Sequence, residues 1–102
     1  MSEIIQNNIE GKENSFIYFL HEEGVFDEKL FHVYFENVNL LDIEKDSREV
    51  IKKVIEVNEY IYRNIIYHFD IKDSHVLKNL PQNLNEYIEI IDFANRRLIH
   101  AL

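Results

Sequence analysis

The chain reads as an all-α protein, a single-domain bundle of about four main helices. Three observations predict this. Only two glycines and one proline punctuate the 102 residues. The apolar positions recur at intervals of three and four rather than two, which is the period of helices and not of strands. Seven Phe, six Tyr and a 46 % hydrophobic content supply enough apolar material for a core. At this length folding buries roughly 60 to 70 % of the surface that the unfolded chain exposes, so one domain spanning 1–102 is expected.

The elements follow in order. Residues 1–13 are polar apart from Ile4, Ile5 and Ile9, and are expected to form a frayed lead-in or a short docked turn. A first helix is expected from Ser15, as N-cap, to Glu23, with Gly24 as its left-handed C-terminal cap. Its run Phe16-Ile17-Tyr18-Phe19-Leu20 is apolar nearly all round, which predicts burial or half of an interface. In Phe26-Asp27-Glu28-Lys29-Leu30-Phe31 the Asp27 carboxylate can accept from free amides, and Phe26 and Phe31 occupy the two positions of a hydrophobic staple. The second helix then continues to about Asn39. Leu30, Phe31, Tyr34, Phe35 and Val38 form its core stripe, with Glu28, His32, Glu36 and Asn39 opposite.

The acidic loop Leu40 to Lys45 ends at Asp46-Ser47-Arg48-Glu49, which has the spacing of a capping box. From there a long helix is expected to reach Asp70, carrying Ile51, Val54, Ile55, Ile61, Tyr62, Ile65, Ile66 and Phe69 on one stripe. A span of about 23 residues at 1.5 Å each makes it about 35 Å long, the spine of the bundle. Arg63, Asn64 and His68 are expected off this stripe, with the helix dipole favouring a histidine in the last turn. Asp73 should cap a short turn through Leu80. Pro81 suits the first position of a last helix that carries Leu84, Tyr87, Ile88, Ile91, Ala94 and Leu98, with Arg96, Arg97 and His100 complementing its dipole.

Charge is the most uneven property of the chain. Residues 1–46 hold eleven carboxylates against three lysines, a net −8, whereas residues 47–102 carry eight of each sign and balance. A concentrated negative surface attracts basic partners and repels nucleic acid and anionic membrane. The absence of cysteine excludes a disulfide framework and thiolate metal sites and fits a reducing compartment. The start Met1-Ser2-Glu3 lacks the basic flank and apolar run of a secretory signal. No later run approaches the roughly 20 apolar residues of a membrane span, so a soluble cytoplasmic protein is expected.

Chemistry leaves fewer traces. The chain contains no glycine-rich phosphate loop, HExxH, paired CxxC or GxSxG. Asp73-Ser74-His75 has the residue types of a catalytic triad, but sequence neighbours cannot adopt a nucleophile–base–orienter geometry, so a helix cap is the expected role. His21, His32, His68, His75 and His100 show no i, i+4 pairing, so neither a metal nor another cofactor is expected.

Two stretches resemble known families. Arg63-Asn64-Ile65-Ile66-Tyr67-His68 resembles the RNxxxH motif of HEPN-type ribonucleases, and Phe69–Asp73 through Leu80-Pro81 to Tyr87–Glu89 looks like the helix that follows it. That resemblance implies a dimer in which Arg63 stabilises phosphate charge, His68 moves a proton of the ribose hydroxyl and Asn64 positions both. The segment from Phe19 to Phe31, with the acidic, cysteine-free and aromatic-rich character of the chain, resembles all-helical immunity proteins of bacterial contact-dependent inhibition and related polymorphic toxin systems. This second resemblance implies an antitoxin, a monomer or weak dimer that binds and occludes a cognate basic toxin, typically a nuclease, without touching nucleic acid or membrane. It also accounts for the lopsided charge, which the ribonuclease reading does not. The expected partner-binding residues are Glu22, Glu23, Asp27, Glu28, Glu36, Asp42 and Glu44, with Tyr18 and Tyr34 as aromatic anchors close to the core stripes. A third reading, in which the acidic half is only a solvated surface that aids solubility, needs no partner.

Overall fold

Capping chemistry decides where the helices begin. The computed structural model describes residues 2–69 and 76–102, which form five helices and no strand among the described residues. Helix α1 (Glu3–Glu10) starts where Ser2 Oγ accepts from the Ile5 amide at 3.2 Å, and it stops at Gly11, whose φ of 65° is the left-handed conformation glycine adopts without cost. Helix α2 (Phe16–Tyr18) starts at Ser15, which accepts from the Tyr18 amide, and runs on as a π-helical segment, Phe19–Glu23, up to Gly24 at φ 63°. Helix α3 (Glu28–Asn39) is capped by Asp27, and α4 (Arg48–His68) by Ser47. Helix α5 (Leu84–Ile99) closes the bundle.

Several sequence expectations are met residue for residue. The Ser15-to-Gly24 helix has its expected ends. Asp27 accepts from the Leu30 amide at 3.0 Å while the Phe26 and Phe31 rings stack at 5.4 Å, completing the staple. Phe31, Tyr34, Phe35 and Val38 are buried, and Glu28, His32, Glu36 and Asn39 are exposed on the outer face of α3.

Other expectations need correction. Residues 1–13 are not a frayed lead-in, because α1 docks with Ile5, Asn7 and Asn8 buried. Two of those three are polar, which hides the face from a hydrophobicity reading. Asn8 is satisfied by donating to the Ile4 carbonyl and accepting from the Ile17 amide, so it also ties α1 to α2. The capping box at α4 is only half formed. Ser47, not Asp46, is the cap, which puts Val50 rather than a Glu at the position that would reach back. Helix α4 ends at His68, and Tyr62, Ile66 and Phe69 leave the stripe, being 41, 46 and 64 % exposed. Asn58 and Asn64 take buried places on it instead. Pro81 lies before α5 rather than at its first position. The helix waits for Asn83, whose amide donates to Glu86 and whose carbonyl accepts the Glu86 amide. The turn expected at Asp73 lies outside the described residues.

The core centres on an aromatic cluster. Phe31 packs against Phe16 at 5.5 Å, Phe26 at 5.4 Å, Phe35 at 4.5 Å and Tyr87 at 4.9 Å, mostly in tilted or edge-on pairs. Beside it runs a polar thread. Tyr34 donates to Asn58 Oδ1 at 2.7 Å, and Asn58 Nδ2 donates to Asn95 Oδ1 at 2.8 Å, linking α3, α4 and α5 through groups that could not be buried unpaired. Arg97, expected to serve the dipole of its own helix, reaches the Val38 and Leu41 carbonyls at 2.9 and 3.0 Å. It thereby caps the C-terminal end of α3.

Truncating Tyr34 to Phe should therefore cost more than a methylene-sized change suggests, because Asn58 Oδ1 would be left buried without a donor. A loss of about 1 to 3 kcal/mol is expected, read as a lower urea midpoint at unchanged m-value. A variant as stable as the native protein would mean that this thread contributes nothing.

Candidate functional site

The acidic half does not form one cluster. The π-helical segment carries exposed Glu22 and Glu23, the outer face of α3 carries Glu28 and Glu36, and the loop after α3 carries Asp42 and Glu44. Eight residues at 1.5 Å separate Glu28 from Glu36 by about 12 Å, so the acidic surface extends along the whole of α3.

Several of these residues already serve the fold. Asp27 is a helix cap. Asp42 Oδ1 accepts from the Glu44 and Lys45 amides and shapes the loop. Glu28 Oε1 accepts the Tyr87 hydroxyl at 2.6 Å, and the same phenol oxygen lies 3.1 Å from His32 Nε2. Because the Tyr87 proton goes to the carboxylate, His32 Nε2 must be the donor, so the three side chains form a directed chain from α3 to α5. The hydrogen bond to Glu28, then desolvation and the charges of Glu28 and Glu86, push the Tyr87 phenol up to about 12. Glu23, Glu36 and Glu44 are exposed and form no ion pair among the described residues, where the pairs are Lys12–Glu10, His21–Glu22 and Arg96–Asp92.

The aromatic anchors divide. Tyr34 is fully buried, and burial pushes its phenol well above the ordinary range, so its expected role as an anchor is corrected to a core role. Tyr18 is half-buried and lines a surface groove of about 660 Å³ between α1, the α2–π segment and the middle of α4. Ile9, Ile17 and Val57 make its apolar part, and Tyr18 and Tyr60 its aromatic walls. His21 Nδ1 contacts the Tyr60 hydroxyl, joining the π-helical segment to α4. The rim carries Glu10, Glu22, Glu56 and Lys53. π-Helical turns are uncommon and recur at functional sites, and this one bears His21 and Glu22.

Sequence reasoning reached Tyr18 and Glu22 but missed the α4 wall. A signal was present: Lys53, Glu56, Val57 and Tyr60 stand at i, i+3, i+4 and i+7, a second stripe beside the core stripe. Recognising it needed α1, whose docking the polar composition concealed.

The residues of the ribonuclease reading lie apart in environment. Arg63 is exposed, while Asn64 is buried and donates to the Tyr60 carbonyl at 2.9 Å, which corrects its expected place off the core stripe. His68 Nδ1 accepts the Leu77 amide at 2.9 Å, so the residue holds the chain that returns to Gly24 and Phe26 through paired hydrogen bonds with Lys78. Its loss would cost that support as well as any dipole interaction. Among the described residues no three His, Asp or Glu side chains converge as a metal site would require, and no helix is long and apolar enough to cross a membrane. His75 lies outside the described residues. Compared with models of protein families, with characterised proteins and with solved structures, the chain matches none.

The Tyr87 chain predicts a pH dependence whose sign is fixed. The folded state keeps the phenol protonated above its ordinary value of 10, so the stabilisation is complete below pH 10 and is lost as pH rises towards about 12. Between those limits the thermal midpoint of the native protein should fall more steeply than that of Tyr87→Phe. Parallel slopes would show that Tyr87 ionises alike in the folded and unfolded chain.

Proposed function

We propose that this protein is a stoichiometric inhibitor, an immunity protein or antitoxin that binds and occludes a basic bacterial toxin with nuclease activity. The observation that carries this reading is the net −8 of residues 1–46, displayed in part by exposed carboxylates on the π-helical segment, the outer face of α3 and the following loop. Such a surface serves association more than catalysis. Carboxylates can occupy the places of the phosphates that a nuclease is built to hold, and their field accelerates encounter with a positive partner. Occlusion demands no chemistry of the inhibitor, only complementarity and a slow release. The π-helical turn and the groove beside it add aromatic area of the kind that anchors interfaces.

Glu23, Glu36 and Glu44 are the residues to test, since each is exposed and none caps a helix or lines the groove. Reversing all three to Lys should slow association with a basic toxin encoded beside this chain by at least about tenfold at 0.1 M salt, where the Debye length is about 10 Å. Reversal of Glu49, Glu59 and Glu89 should have a much smaller effect. Equal losses from both sets, or association rates that stay flat up to 1 M salt, would remove the electrostatic interface. RNA cleavage by the native protein that disappears in Arg63→Ala would replace this reading with the ribonuclease.

A further inference from the structure

The groove between α1, the π-helical segment and α4 has a chemistry of its own. Three carboxylates, Glu10, Glu22 and Glu56, face one lysine, Lys53, so with neutral His21 the lining carries −2. The three acids are not equivalent. Glu10 is held below its ordinary value by a hydrogen bond from Gln6 and by Lys12, whose ammonium lies at 3.2 Å, so its charge is already engaged. Glu22 has an ion pair with the exposed His21 at 3.8 Å, and Glu56 is exposed with no ion pair among the described residues. The Tyr18 phenol is raised above its ordinary value by desolvation first and then by the negative charges of Glu13, Glu23 and Glu22.

We infer that this groove receives an arginine side chain of the basic protein partner, with the guanidinium against Tyr60 and Tyr18 and within reach of Glu56 and Glu22. The inference rests on the inhibitor reading for the identity of the partner, and it names the contact that reading lacks. Charge complementarity selects a cation. The apolar part formed by Ile9, Ile17 and Val57 suits a methylene stem rather than a small inorganic ion. Two tyrosine walls favour a planar, weakly hydrated cation that can stack, and separated carboxylates favour a fork of donors over a point charge, which together select arginine above lysine. The contact between His21 and the Tyr60 hydroxyl steadies the tyrosine wall before any partner arrives. It thereby lowers the ordering cost of binding.

The probe is the peptide acetyl-Gly-Arg-Gly-amide, compared with its citrulline counterpart, which keeps the shape and removes the charge. Titrated into the full isotope-labelled chain at 0.15 M salt, the arginine peptide should produce saturable shifts at the amides of residues 18–22 and 56–60. The citrulline peptide should bind at least about tenfold more weakly. Tyr60→Leu should weaken binding by about two- to fivefold, and Glu56→Gln should weaken it too, whereas Glu36→Gln should not. Glu56 is exposed, whereas Tyr60 is partly buried and contacts His21, so amide spectra and thermal midpoints of both variants are compared with the native chain to check that the fold is kept. Equal binding of the two peptides would overturn the inference, as would shifts spread over α3 and residues 40–46 that Glu56→Gln leaves unaltered. With the toxin itself the two claims separate. Loss of binding in the Glu23, Glu36, Glu44 reversal but not in Glu56→Gln would keep the inhibitor reading and refute the arginine contact. Saturable arginine binding without any complex with the toxin would keep the groove's specificity and refute the inhibitor reading.

Discussion

The packing around Phe31 is the constraint on which the remaining structure depends. Its ring touches residues from α2, the linker before α3, α3 itself and α5. Aromatic rings of this size each remove a large apolar area from water, and their edge-on geometry allows few alternatives. Once Phe31 points inward, the helical period turns His32 and Glu36 outward and leaves Glu28, one turn before Phe31, at the edge of the core beside Tyr87. Tyr87 belongs to both sides: its ring completes the cluster while its hydroxyl joins Glu28 and His32 at the rim.

Polar groups then set the register that apolar packing alone leaves loose. The thread Tyr34–Asn58–Asn95 has partners at only one relative placement of α3, α4 and α5. Sliding any helix by one turn would bury unpaired amides at a cost of a few kcal/mol. Arg97 adds a second lock by capping the carbonyl end of α3 from α5. On the other flank, Asn8 holds the start of α2 against α1, and the groove is the space left between this pair and α4.

This division of labour bears on function. Residues that an acidic-surface argument treats as equivalent are not: Asp27 and Asp42 are committed to local backbone, Glu28 to Tyr87, and Glu23, Glu36 and Glu44 are uncommitted. The last group, and Glu22 at the groove, are available at the surface without any role in holding the bundle together. The same distinction applies to the histidines, since His68 supports the Leu77 backbone and His32 the Tyr87 hydroxyl, whereas His21 stands at the groove beside the π-helical turn.

The sequence by itself determined the helical class, the Ser15, Asp27 and Gly24 boundaries, the Phe26–Phe31 staple and the two faces of α3. All of these are local: they depend on residues within a turn or two of each other, where spacing and capping chemistry act directly. It also determined that the negative charge lies in the first half. Tertiary structure alone decided that α1 is a docked helix, that Asn58 and Asn64 are buried, that Tyr34 faces the core thread and that Tyr18, His21, Glu22, Glu56 and Tyr60 meet in one groove. The physical reason is the same in each case. A buried asparagine or tyrosine hydroxyl is tolerated only if a partner distant in sequence meets it, and a groove exists only where separate helices leave space between them, so neither is written in the pattern of any single segment.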